Sequence, residues 1–238
     1  MTTAAQSTLD SARGADQQEV LEGAYKKITV HIIPFIFVCY LFNYLDRVNV
    51  GFAKLQMLDS LQWSETIYGL GAGIFFVGYL IFEIPGSLVA SHFSATKWIA
   101  RIMFTWGLVC IFMAFVTTEF QFFLCRFLLG ASEASLYPVI YSVLFPRWFT
   151  AGERARATSL MLTSLLLSNI IGAPLAGVLL ESSFFGMHGW QELFILEAVP
   201  ALAFAVFFFF GVKSDKNFTM TLRKCSIGEV FFSLLTEA

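Results

Sequence analysis

The sequence predicts an all-α integral membrane protein of six transmembrane helices, and three observations carry that prediction. Of its 238 residues, 57% are hydrophobic and only 13% charged. A soluble domain of average composition carries about 25% charged residues, so too little polar surface remains here to coat a water-soluble globule. The apolar residues fall into six stretches, each close to the roughly 20 residues that a helix needs to span a bilayer. Lysine and arginine are concentrated in alternate breaks between those stretches, the asymmetry expected when one side faces the cytoplasm. A membrane barrel would show alternating segments of about ten residues instead. A net charge of −2 offers no field to collect phosphates and argues against nucleic-acid binding.

Taken in order, the apolar stretches are Ile28–Phe52, Ile67–Ala90, Trp98–Val116, Phe120–Val143, Ala157–Leu180 and Leu193–Val212. Residues 1–26 form a polar tail with acids, unlike a secretory signal or a basic transit peptide. The bundle occupies residues 27–212, and residues 213–238 read as a second tail. Gly69-Leu-Gly-Ala-Gly73 and the stretch from Asn169 to Gly177 supply small residues for close helix crossing. Pro138 should kink the fourth helix. If every stretch crosses, Arg13, Lys26, Lys27, Lys97, Arg101, Arg147, Arg154, Arg156, Lys213, Lys216, Arg223 and Lys224 share one side, and the opposite breaks hold only Lys54. Both termini are therefore expected in the cytoplasm, with the chain in the inner (plasma) membrane.

No pattern points to an enzyme. The sequence lacks a GxSxG elbow, a P-loop, an HExxH helix and a dinucleotide-binding fingerprint, and it implies no cofactor. Cys39, Cys110, Cys125 and Cys225 have neither CxxC nor metal-ligand spacing and read as packing residues. His31, His92 and His188 are scattered.

The informative residues are the charges inside apolar stretches, each costing at least about 2.5–3.5 kcal/mol to insert. Asp46 and Arg47 lie in Asn43-Tyr-Leu-Asp-Arg-Val-Asn49 of the first stretch. In the fourth, Arg126, Gly130 and Glu133 are spaced i, i+4, i+7 and share a helix face. Counting residues from the span ends puts Arg47 and Arg126 at one depth, where two guanidiniums make a fork-shaped receptor for an anion. Asp46 and Glu133 become candidate proton carriers. The plainer alternative is that each arginine pairs with a carboxylate to hold two helices together. Tyr40, Asn43, Tyr44, Tyr79 and Tyr137 are candidate pocket donors. Glu83, two residues before Pro85, suits gating or packing, and Glu197 could pair with a neighbouring loop.

These residues also carry a family resemblance. The chain resembles the N-terminal half of the major facilitator superfamily, specifically its anion:cation symporters. The matching segments are Tyr44-Leu-Asp-Arg-Val-Asn-Val-Gly-Phe-Ala53, Glu83-Ile-Pro-Gly86, Trp98-Ile-Ala-Arg-Ile-Met103, Arg126 through Glu133 to Pro138, Trp148-Phe-Thr-Ala-Gly-Glu-Arg-Ala-Arg156, and Asn169 to Gly177. The first looks most like bacterial tartrate, hydroxyphenylacetate, phthalate and galactonate permeases. The resemblance implies a fold of two inverted three-helix repeats and proton-coupled symport of small carboxylates, energised by the proton gradient. It implies proton-handling roles for Asp46 and Glu133 and substrate contacts for Arg47 and Arg126. The loop Ser91–Lys97 departs from the superfamily pattern, keeping only Lys97 of its usual charged set, with gating as the implied role. A twelve-helix transporter needs a second half. A homodimer or a partner chain is one expectation, and a half-size permease inactive alone is the other.

Overall fold

Six α-helices carry nearly all the residues described by a computed structural model, which are 33–34, 36–93, 95–149, 151–181 and 186–211. The tails 1–26 and 213–238 lie outside them. The helices are α1 (residues 36–61), α2 (Glu65–His92), α3 (Ala95–Met113), α4 (Glu119–Glu133), α5 (Ala151–Glu181) and α6 (Gly189–Gly211). No strand occurs among the described residues.

The boundaries differ from expectation at two places. Helix α1 passes its predicted end at Phe52 and continues to residue 61. The polar break contains no glycine or proline there, and Ala53 and Met57, one turn apart, are fully buried, so tertiary packing prolongs the helix. Gln62, at φ 54°, turns the chain in the left-handed conformation common after a helix end. Ser64 then caps α2 by accepting from the Ile67 N–H at 3.4 Å.

The fourth span is interrupted just beyond Glu133, where Pro138 was expected to kink it, and stays irregular past Pro138. Thr118 and Gln121 form a reciprocal capping box at the start of α4. The helix stops at Glu133, turns through Ala134 and Ser135, and resumes as a short turn at Leu136–Pro138 and a π-helical segment at Val139–Leu144. Pro138 supplies no N–H to the carbonyl four residues earlier, and its ring crowds that carbonyl. The break therefore falls at Ala134, directly after Glu133.

The most extensive pairings join α2 to α4 and α3 to α6, with α5 also against α6. Glycine decides the first. A Cβ on Gly130 would run into the Phe75 carbonyl, and one on Gly78 into the Phe127 carbonyl. Of the Gly69–Gly73 trio only Gly71 is a crossing point, against the Phe122 ring, while Gly69 and Gly73 face open space. At the far end of α1, Gln56 donates to the Leu180 carbonyl at 2.7 Å and accepts from the Trp190 N–H at 3.1 Å. That side chain ties α1 to the end of α5 and the start of α6.

Among the described residues, four stretches are long and apolar enough to cross a membrane: Glu65–Ala90, Glu119–Leu144, Gly152–Glu181 and Gly189–Phe207. In the first only 17% of the apolar window is buried. Such a face suits lipid or another apolar surface.

Candidate functional site

Tyr40, Asn43 and Arg47 recur at i, i+3, i+7 and so share one face of α1. They open onto a cavity of about 320 Å³ completed by Tyr79 of α2, Glu133 of α4, Leu136 and Tyr137 after the α4 break, and Leu162 of α5. The wall is mixed: aromatic rings, two leucines, one amide, one cation and one acid.

Its centre is an ion pair. Arg47 Nε and Nη2 both lie 3.0 Å from Glu133 Oε2, so one carboxylate oxygen takes two charge-assisted bonds. The other oxygen, Oε1, is buried without a hydrogen-bond partner, as is Asn43 Nδ2. The Arg47 side chain is 29% exposed and that of Glu133 0%. Of the pair, the cation is the accessible member and the acid the enclosed one. The Arg47 guanidinium also sits over the Tyr79 ring at 5.0 Å.

Two further charged residues stand off the cavity wall. Asp46 is 1% exposed, and its Oδ1 accepts from Cys110 Sγ of α3 at 3.1 Å while Oδ2 has no partner. Arg126 is buried and donates from Nε to the Gly71 carbonyl at 3.3 Å. The two arginines meet through one ring: Phe75 lies 5.3 Å from Arg47 and 4.8 Å from Arg126, measured from guanidinium carbon to ring centre. The longer α1 puts Arg47 level with Glu133 and not with Arg126. The open fork of two guanidiniums is thus replaced by one accessible arginine and one enclosed arginine.

The structure brings Asn43, Arg47, Tyr79 and Glu133 onto one cavity, together with Tyr40 and Tyr137. It leaves Tyr44, Asp46 and Arg126 off that wall. Glu83 is half-buried one turn further along α2 from Tyr79, and Lys97 is exposed with its ammonium 6.0 Å from the Phe209 ring. Sequence reasoning missed Phe75, although its spacing from Gly71 and Tyr79 places all three on one face of α2. It also took Cys110 for packing alone. Nothing local to that residue announces the hydrogen bond, because Asp46 arrives from another helix. Cys39, by contrast, is buried against Met103 sulfur at 3.3 Å, as a packing residue should be.

The family profile described as Major Facilitator Superfamily matches residues 36–221. The chain belongs to the major facilitator superfamily. Among similar proteins of this superfamily, the putative metabolite transport protein NicT of Pseudomonas putida is 49% identical over 191 residues, covering 79% of this chain and 43% of NicT. A putative tartrate transporter of Agrobacterium vitis is 46% identical over 182 residues, covering 76% and 42%. The chain thus spans less than half the length of these relatives. Among solved structures, the inward-facing, unoccupied form of a bacterial homologue of the human lysosomal transporter Spinster superposes with a TM-score of 0.67 at 16% identity, over 78% of this chain and 43% of that one. At this identity the likeness establishes the fold: a half-size major facilitator bundle. The superfamily consists of membrane transporters and not enzymes, as the missing catalytic motifs suggested.

Proposed function

We propose that the chain supplies one half of a proton-coupled symporter for small organic anions, carboxylates of the tartrate, aromatic-acid or sugar-acid kind. The observation that carries this reading is the Arg47–Glu133 pair on the cavity wall, joined through one oxygen with the arginine facing the open space. A planar guanidinium holds a carboxylate through two parallel bonds. An arriving substrate carboxylate competes with Glu133 for the Arg47 N–H groups. Glu133 then loses its counter-ion in apolar surroundings, where an unpaired carboxylate is disfavoured, and takes up a proton. Anion and proton thus enter together, and the neutralised site can be exposed to the opposite side. Tyr40, Asn43, Tyr79 and Tyr137 offer donors for substrate hydroxyls and the second carboxylate. Asp46 and Arg126 add a second acid and a second cation behind the first pair, and the proton gradient is the energy source. Relatives carrying the names tartrate transporter and metabolite transport protein support the substrate class.

Alternating access rocks two halves around a site between them, so the reading calls for a second six-helix half, from a second copy or another chain. Both termini lie in the cytoplasm and the inner (plasma) membrane is the location, on the strength of the lysine and arginine asymmetry. The test is binding of labelled tartrate to the purified chain in lipid nanodiscs, with proton uptake followed by a pH dye. Wild type takes up a proton with each anion, Arg47→Ala loses the anion, and Glu133→Gln binds it without proton uptake. Anion binding with no proton uptake by wild type would sink the coupling. Tartrate and aromatic acids that fail to bind would sink the substrate class.

A further inference from the structure

Glu133 reaches the cavity at the start of a turn, where the fourth span is not a continuous helix. The short segment from Glu133 to Tyr137 supplies three residues of the cavity wall, Glu133, Leu136 and Tyr137, although α4 ends at the first of them. Within an α-helix the N–H to carbonyl ladder fixes where each side chain stands. Here the chain leaves helical geometry at Ser135, whose φ of −94° and ψ of 2° fall in the bridge region between helix and strand. On either side of the gap, the Ala134 N–H donates to the Gly130 carbonyl and the Val139 N–H to the Ser135 carbonyl, both at 3.1 Å. Pro138 has no N–H to close the gap itself.

Ser135 faces away from the cavity and is fastened there. It is 2% exposed, and its Oγ accepts from the Trp98 indole N–H of α3 at 3.1 Å. That hydroxyl makes no capping bond to its own turn. Helix α2 closes on the same side chain: a Cβ on Gly86 would come within 2.7 Å of Ser135 Cβ and 2.8 Å of its Oγ. Trp98 is in turn held at the corner between α2 and α3. Its ring stacks on Phe93 at 6.0 Å, with 21° between the planes, and the Arg101 guanidinium lies 4.2 Å from its centre. These two contacts orient the indole, so its single N–H is directed at Ser135. The back of the turn thus rests on Trp98, while its front sets Glu133 Oε2 3.0 Å from both Arg47 Nε and Nη2.

We propose that Trp98 is a positioning residue for proton coupling: through Ser135, its indole N–H holds the turn that carries Glu133 against Arg47. Trp98 is not on the cavity wall and acts only through the turn. The proposal rests on the proton-coupled reading above, in which an anion displaces Glu133 from Arg47 and the freed carboxylate takes up a proton. Displacement brings a proton in only if the carboxylate rests on the cation beforehand. A carboxyl already apart from Arg47 gains nothing when the anion arrives. Losing the Trp98–Ser135 bond therefore leaves the anion its arginine and removes the proton that accompanies it. A residue needed for folding alone would lower both together, in proportion to the folded fraction.

NMR of the full chain in lipid nanodiscs, with its arginine nitrogens isotope-labelled, tests the positioning without any anion. The Arg47 Nε–H resonance, identified by its loss in Arg47→Met, reports the bond to Glu133. Trp98→Phe keeps a ring and removes the N–H, and Ser135→Ala removes the acceptor. Each is expected to move the Arg47 signal towards that of a solvated arginine, and the double variant moves it no further, because both changes break one bond. Ser135→Ala, the smaller change, keeps the test open where Trp98→Phe does not fold. An Arg47 signal unmoved in either folded variant would overturn the proposal. Proton uptake per bound tartrate, followed by a pH dye, then ties the position to coupling. Both variants are expected to lose most of the uptake that wild type shows while binding tartrate at least as tightly. A ratio equal to that of wild type, beside a moved Arg47 signal, would overturn the part in coupling. A wild type that takes up no proton with tartrate, beside moved signals in the variants, would leave Trp98 as the support of the pair while the coupling reading fell.

Discussion

The guanidinium of Arg126 lies 4.8 Å from the centre of the Phe75 ring, and the same ring holds Arg47 at 5.3 Å. Two cations that would otherwise repel each other are spaced by one buried aromatic side chain. Desolvated cation–π contacts contribute up to about 2 kcal/mol each. Phe75→Leu, which keeps most of the bulk and loses the π face, is expected to lower stability by about 1–3 kcal/mol. Phe75→Tyr retains most of the wild-type stability. Thermal unfolding in detergent micelles measures both.

Glycines of α2 and α4 separate cleanly by what their missing side chain would meet. Gly130→Ala puts a methyl against the Phe75 carbonyl, and backbone cannot yield as a side chain tip can. The expected loss is about 1–3 kcal/mol or more, from overpacking. Gly69→Ala and Gly73→Ala face open space. They should be neutral or stabilising by up to about 1 kcal/mol, because alanine is the better helix former. Equal losses for all three variants in a thermal unfolding series would refute the crossing geometry.

Breaking the Arg47–Glu133 pair costs differently from its two sides. Arg47→Met leaves the buried Glu133 without its partner and is expected to cost about 3–5 kcal/mol, Glu133→Leu leaves an arginine that still faces the cavity and should cost less, and the double variant recovers most of the larger loss. The double variant is also expected to bind no organic anion. A double-mutant cycle in unfolding, run beside tartrate binding, separates what the pair contributes to stability from what it does for the ligand.

Cys110→Ala deprives Asp46 of the one hydrogen bond that its side chain receives among the described residues and should cost about 1–3 kcal/mol, the penalty of an unsatisfied buried acceptor. Cys110→Ser keeps a donor and should lie close to wild type. In the folded chain Cys39 and Cys110, 0% and 1% exposed, should resist maleimide while the partly exposed Cys125 reacts ahead of both. Mass spectrometry of labelled peptides reads the order.

Much of the candidate site was legible in the sequence because membrane insertion makes charge costly. Asp46, Arg47, Arg126 and Glu133 stood out for that reason alone, and the structure gathers all four in one interior. Their pairing was not legible. Depth counted from the apolar end at Phe52 put the two arginines level, but Ala53 and Met57 bury against the bundle and carry α1 on to residue 61. That extension moves Arg47 beside Glu133. Cys110 was unreadable for a related reason: a thiol in an apolar run looks like packing until another helix brings an acid to it.

The sequence by itself determined the class, the helices and the family. Composition, span length and the cost of buried charge are properties of the chain read locally, and they survive any arrangement of the helices. Only the tertiary structure decided which charges meet. It put Arg47 at the cavity and Arg126 behind it, gave Glu133 a cation, and left Glu197 without one among the described residues. Those outcomes depend on crossings such as Gly130 against the Phe75 carbonyl, where helices distant in sequence come into contact. At such crossings, distance and burial set the electrostatics, and neither is written in a local pattern.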